Sequence, residues 1–100
     1  MQHIGVRRER ENGQPIAEFD REGIDLRIVT DAPSTTTCLR FIDPYGDLVV
    51  NQLQLPVLIA ELQEMSRSTT DFALKKHIAK LVQFLRESEG VHVYVRFIGD

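Results

Sequence analysis

Val91-His92-Val93-Tyr94-Val95-Arg96-Phe97-Ile98, near the end of this chain, alternates apolar with polar or amphipathic residues as far as Phe97. A side-chain period of two predicts a strand with one buried face, and the β-branched run Val91, Val93, Val95 suits a central position in a sheet. Two stretches of helical period precede it. Leu55, Leu58, Ile59, Leu62 and Met65 form one apolar stripe, and Leu74, Ile78, Leu81, Val82 and Leu85 form another. Pro56 suits a first helical turn, Thr70 or Asp71 can cap the second helix, and Gly90 is a natural stop. The polar link at 66–70 is short, so the helices should pack antiparallel, and the closing strand then returns to a sheet.

Upstream, residues 36–43 are rich in β-branched and apolar types. Asp43-Pro44-Tyr45-Gly46-Asp47 reads as a turn, with Gly46 in the left-handed conformation, and Leu48-Val49-Val50 as the returning strand. Asn51 can cap the first long helix or close the loop before it. Residues 24–30 alternate and read as a strand, with a short helix as the competing reading. Asn12-Gly13 is a hairpin signal between weakly alternating residues 3–10 and the return strand Ile16-Ala17-Glu18-Phe19. The expected order is β-β-β-β-β-α-α-β. The fold class is α+β, a single domain over residues 1–100: a mostly antiparallel sheet of four or five strands with two antiparallel helices packed on one face.

One hundred residues hold one core. The net charge of −3 argues against general attraction to nucleic acid or to an anionic membrane. Cys38 is the only cysteine, so no intrachain disulfide forms; it reads as a small buried hydrophobe, with a reactive thiol as the alternative. With no basic-then-apolar leader, no apolar run of membrane-spanning length and one unpaired thiol, the expected location is the cytoplasm.

If both helices cover one side of the sheet, the core face takes Ile24, Leu26, Ile28, Leu39, Phe41, Val91, Val93, Val95 and Phe97. The opposite face carries Asp25, Arg27, Arg40, His92, Tyr94 and Arg96, with Arg7 as a further candidate. Lysines fall only at 75, 76 and 80 on the second helix, whereas four of the nine arginines fall on this face. Two readings follow: a solvated face held by cross-strand charge pairs, or a recognition surface in which arginine forks and Tyr94 meet a partner. The binding candidates are therefore Arg40, His92, Tyr94, Arg96 and Arg27. The triplet Arg-Phe-Ile occurs at 40–42 and again at 96–98, each time followed by an acid. Asp43, Asp47 and Asp100 could thus gather at one sheet edge to share a proton or hold a hard cation, or Asp43 and Asp47 could serve the turn alone. His3, His77 and His92 lack metal-ligand spacing, and His77 should be exposed among the lysines. No phosphate loop or nucleophile motif is legible, and no cofactor is called for.

The stretch Phe41-Ile42-Asp43-Pro44-Tyr45-Gly46-Asp47, Asn51 with the Leu/Pro-led helix behind it, and the ending Phe97-Ile98-Gly99-Asp100 resemble features of small uncharacterised bacterial proteins, similar in size and make-up to toxin-immunity proteins. The resemblance covers about residues 38–100. It implies a small, acidic, cytoplasmic, non-enzymatic protein and carries no catalytic residue. The expected function is a non-catalytic protein-interaction module, immunity-like or regulatory, with a protein partner or self-association as a homodimer. The alternative is a small enzyme or a ligand- or metal-binding protein using the acidic edge or the arginine face.

Overall fold

Asn12-Gly13 turns the chain where its sequence says it should. In the computed structural model, which describes residues 3–33, 35–43, 45–88, 90 and 92–99, β1 (Gly5–Arg10) and β2 (Pro15–Glu18) form an antiparallel hairpin around it. Gly13 takes φ 85°, its N–H bonds to the Arg10 carbonyl at 2.8 Å, and the Asn12 side chain accepts from the Gln14 N–H at 3.0 Å. Two further strands, β3 (Asp47–Val50) and β4 (Val93–Ile98), complete an antiparallel sheet of order β2-β1-β4-β3. The closing strand is central, as its valines suggest.

Register divides the sheet into two faces. Val6 lies opposite Phe97 and Arg8 opposite Val95, while Leu48 faces Phe97 and Val50 faces Val95. Val6, Val50, Val95 and Phe97 are buried in one core with Leu55, Leu58, Leu62, Leu74, Ile78, Leu81 and Leu85. These leucines and Ile78 belong to the helices α2 (Leu55–Ser68) and α3 (Phe72–Arg86), counted after the short helix α1 (Arg27–Thr30). The α2–α3 link is tight because Asp71 caps α3, accepting the Leu74 N–H at 3.1 Å. Arg8 points to the helical side yet is satisfied there. Its guanidinium donates to Ser88 Oγ at 2.8 Å and to the Phe84 carbonyl at 3.2 Å, and lies 4.6 Å from the Phe84 ring centroid. A cation thus bonds a carbonyl in the last turn of α3, one that also accepts from Ser88 Oγ at 2.8 Å. No helix among the described residues is long and apolar enough to cross a membrane.

Several local expectations are corrected. Residues 24–30 form no strand; they lead into α1. Ile24 and Ile28 are buried, and four residues apart they share a helical face as readily as a strand face. Asp25 starts the turn by accepting the Arg27 N–H at 3.0 Å, while its own N–H donates to His77 Nε2 at 2.9 Å. His77 is accordingly half-buried, not exposed. Residues 36–43 also form no strand; they contain a 3-10 turn, Leu39–Phe41. The cause is Glu61 on α2, whose carboxylate accepts the N–H groups of Thr37, Cys38 and Leu39, the last two at 3.0 Å. Three successive donors drawn to one carboxylate cannot also serve a ladder. Leu39 and Ile42 go inward and Phe41 is left 55% exposed, so its expected place in the core is wrong. Finally, β3 pairs with β4 and not with 36–43. Gly46 is not among the described residues with positive φ, which are Gly13, Gly23 and His92. The turn is held instead by Asp43, whose side chain accepts the Tyr45 N–H at 2.8 Å. Gly99 matters more there: a Cβ on it would stand 2.4 Å from the Asp43 carbonyl oxygen. Pro44, Val91 and Asp100 lie outside the described residues.

Phe97→Ala should cost about 3–5 kcal/mol, whereas Phe41→Ala should cost less than about 1 kcal/mol; urea unfolding of both variants checks this. Burial pushes the His77 imidazole down despite the nearby charges of Asp25 and Asp20, and its Nε2 must be unprotonated to accept from Asp25. The unfolded chain therefore takes up the proton first. The stabilisation is complete above about pH 6.5, the unfolded value, and is lost as pH falls through the lower folded value. Glu9, Asp25, Glu61 and Asp71, all held low, lose theirs in a more acidic window. Urea midpoints should thus fall between pH 7 and 5, and His77→Gln should flatten that slope.

Candidate interaction surface at the edge of the sheet

The sheet face away from the helices carries charge, and the charge is internally matched. Arg7 on β1 lies opposite Arg96 on β4, a like-charge pair that needs relief. Glu9 supplies it from beneath. Only 2% exposed, it accepts from Arg7 Nε at 2.6 Å and from Arg96 Nε at 3.1 Å. Burial pushes the Glu9 carboxyl up, but the hydrogen bonds and charges of the two arginines outweigh it and hold it below the usual carboxylate range. Arg96 also reaches Asp47 on β3 at 3.3 Å.

The expected arginine face is therefore divided. Tyr94 and Arg96 are on it. Arg27 is on α1, bonded to Asp25 and Asp71, and Arg40 is on the 3-10 turn with its guanidinium 4.7 Å from the Phe41 ring centroid. Both are elsewhere because the segments expected to carry them into the sheet are not strands. His92 precedes β4 with φ 63°, its Nδ1 2.9 Å from Glu11. Of the three acids, Asp43 serves its turn, Asp47 binds Arg96, and Asp100 lies outside the described residues. Among the described residues no three His, Cys, Asp or Glu side chains gather as metal ligands.

What the tertiary structure gathers is an apolar surface around β3. The Gly99 N–H bonds to the Gly46 carbonyl at 2.9 Å. Antiparallel alternation then makes Leu48/Phe97 and Val50/Val95 the bonded pairs, and turns the N–H and C=O of Asp47 and Val49 to the outer side. That side is the edge of the sheet. Seven large apolar side chains are exposed among the described residues, and five of them, Phe41, Tyr45, Val49, Leu53 and Val57, belong to β3 or to segments flanking it in sequence. Leu53, at 78% exposure, and Tyr45, at 73%, are the most open of these five. Phe41, Leu48, Val50, Leu53 and Val57 line a cavity of about 230 Å³ with Cys38. Burial, with the nearby charge of Glu61, pushes the Cys38 thiol up, which keeps it a protonated wall group. A second cavity of about 280 Å³, lined by Glu11, Asn51, His92 and Tyr94, adjoins the first at Leu53. Asn51 shapes the junction: its side chain accepts the N–H groups of Leu53 and Gln54 at 2.9 and 3.0 Å, and Gln54 Oε1 accepts its own N–H at 2.9 Å.

Sequence reasoning missed this surface, although a signal existed. Leu53 and Val57 are apolar but fall off the stripe Leu55, Leu58, Ile59, Leu62 that faces the core.

Glu9→Gln removes the charge that separates Arg7 from Arg96 and should lower stability by roughly 1–3 kcal/mol, read as a shift in urea midpoint. Comparison with protein-family models, with curated proteins and with solved structures gave no match.

Proposed function

We propose that this chain is a non-catalytic protein-interaction module that binds an extended segment of a protein along the outer edge of β3. The observation that carries the reading is the coincidence of two features: an open row of backbone donors and acceptors at Asp47 and Val49, and exposed apolar side chains at Val49 itself and, beside Leu48 and Val50, at Phe41, Leu53 and Val57. Strand addition uses both, since the backbone supplies affinity and alternate side chains enter adjoining pockets. The cavity beside Leu48, lined mainly by apolar side chains, is of a size to accept such a side chain. An apolar cluster of this kind marks interaction surfaces. The resemblance to toxin-immunity proteins, which implies a small, acidic, non-enzymatic protein, is in keeping with this reading. A bacterial, cytoplasmic, regulatory or immunity-like role is part of this proposal.

The test is a titration with extended peptides carrying apolar residues at every second position, followed by amide hydrogen exchange. The amides of Asp47 and Val49 should gain protection, and Leu53→Asp should weaken binding roughly tenfold or more. Binding that leaves both amides unchanged and ignores Leu53→Asp rejects the site.

A further inference from the structure

We infer that the occupant of the β3 edge is a second copy of this chain, paired antiparallel about a two-fold axis to make one continuous eight-stranded sheet. This inference rests on the strand-addition reading and adds the identity of the partner. The warrant is that the edge is complementary to itself in one register.

A two-fold contact pairs a strand with itself, and only residues whose backbone groups point outward can exchange bonds. In β3 these are Asp47 and Val49. Centring the axis on Asp47 would set like charges directly opposite. Centring it on Val49 would set Asp47 against the other copy's Asn51, whose groups are already taken. Its N–H donates to Gln54 Oε1, and its carbonyl accepts from Gln54 at 3.1 Å and Leu55 at 3.0 Å. Centring it on Leu48 leaves no such conflict. Asp47 then faces Val49 of the other copy and Val49 faces its Asp47, so four hydrogen bonds satisfy every outward group of both strands. Charge agrees with this register. Arg96 is the β4 neighbour of Val49, so each Asp47 enters the row that carries the other copy's Arg96.

Packing agrees as well. In this register Leu48 meets its own counterpart on the helical side of the sheet, next to the cavity lined by Phe41, Leu53 and Val57. The other edge is built differently: β2 begins with Pro15, which cannot donate, and ends with the exposed Glu18, both devices that discourage pairing. One edge is guarded and the other is left open with an apolar margin, as a specific seam requires.

The experiment is sedimentation equilibrium of the full chain with its Val49→Pro and Val49→Thr variants, together with hydrogen exchange of the wild type over a dilution series. Proline at 49 deletes an outward N–H that β4 does not use, so the monomer fold should persist, checked by circular dichroism. Wild type and Val49→Thr should sediment as dimers of the 11.5 kDa chain. Val49→Pro should weaken the dimer roughly tenfold to hundredfold, the loss of two symmetry-related bonds. Asp47 and Val49 amides should lose protection together on dilution, which serves as the readout if Val49→Pro fails to fold. A wild type that stays monomeric at millimolar concentration overturns the inference, as does a dimer indifferent to Val49→Pro with unprotected Asp47 and Val49 amides. A monomer whose edge amides are still protected by peptide would overturn the second copy while upholding strand addition, so the two failures are distinguishable.

Discussion

The antiparallel insertion of β4 between β1 and β3 is the constraint on which the rest depends. The last strand of the chain joins the first hairpin to a strand from the middle, so neither β1 nor β3 has a complete ladder without it. Phe97 is the hub. It lies opposite Val6 on one side and Leu48 on the other, and it is buried against the helical layer. Because these pairings bring together residues far apart in sequence, the sheet closes only when both ends of the chain are in place. Such topology ties local elements into one cooperative unit.

β1 shows how a central strand carries three arginines without disrupting a sheet. Arg7 and Arg8 point to opposite faces and are satisfied differently. On the open face Arg7 shares the buried Glu9 with Arg96. On the helical face Arg8 bonds the C-terminal end of α3. A buried carboxylate is tolerated where hydrogen-bonded cations flank it, and removing one of them leaves part of its desolvation uncompensated. Arg7, Arg96, Glu9 and Asp47 thus form an internally neutral network on the open face.

The two edges are unlike because their neighbours are unlike. The hairpin that makes β2 also delivers Pro15 to its start. At the other end, Glu61 draws residues 37–39 into a turn on α2, so the segment expected to pair with β3 as a fifth strand does not. Phe41 is left outside and a cavity opens between that turn, β3 and the start of α2. One carboxylate on a helix therefore accounts for both the missing strand and the apolar edge.

Local patterning by itself determined the α+β class, both long helices with the Asp71 cap, the Asn12-Gly13 hairpin and the central closing strand. Each of these rests on short-range rules: side-chain period, capping chemistry and turn geometry. What only the tertiary structure decided lay where a distant side chain captured the backbone. His77 accepts the Asp25 N–H and Glu61 accepts those of 37–39, so two apolar stretches that alternate like strands became a short helix and a 3-10 turn. Arg27 and Arg40 moved off the sheet face with them, while Arg96 and Tyr94 stayed. The surface around Leu53 depends on the same events. Its off-stripe residues are visible in the chain, but what they border is set by which strand lies at the edge, and strand order is a long-range choice that no local pattern encodes.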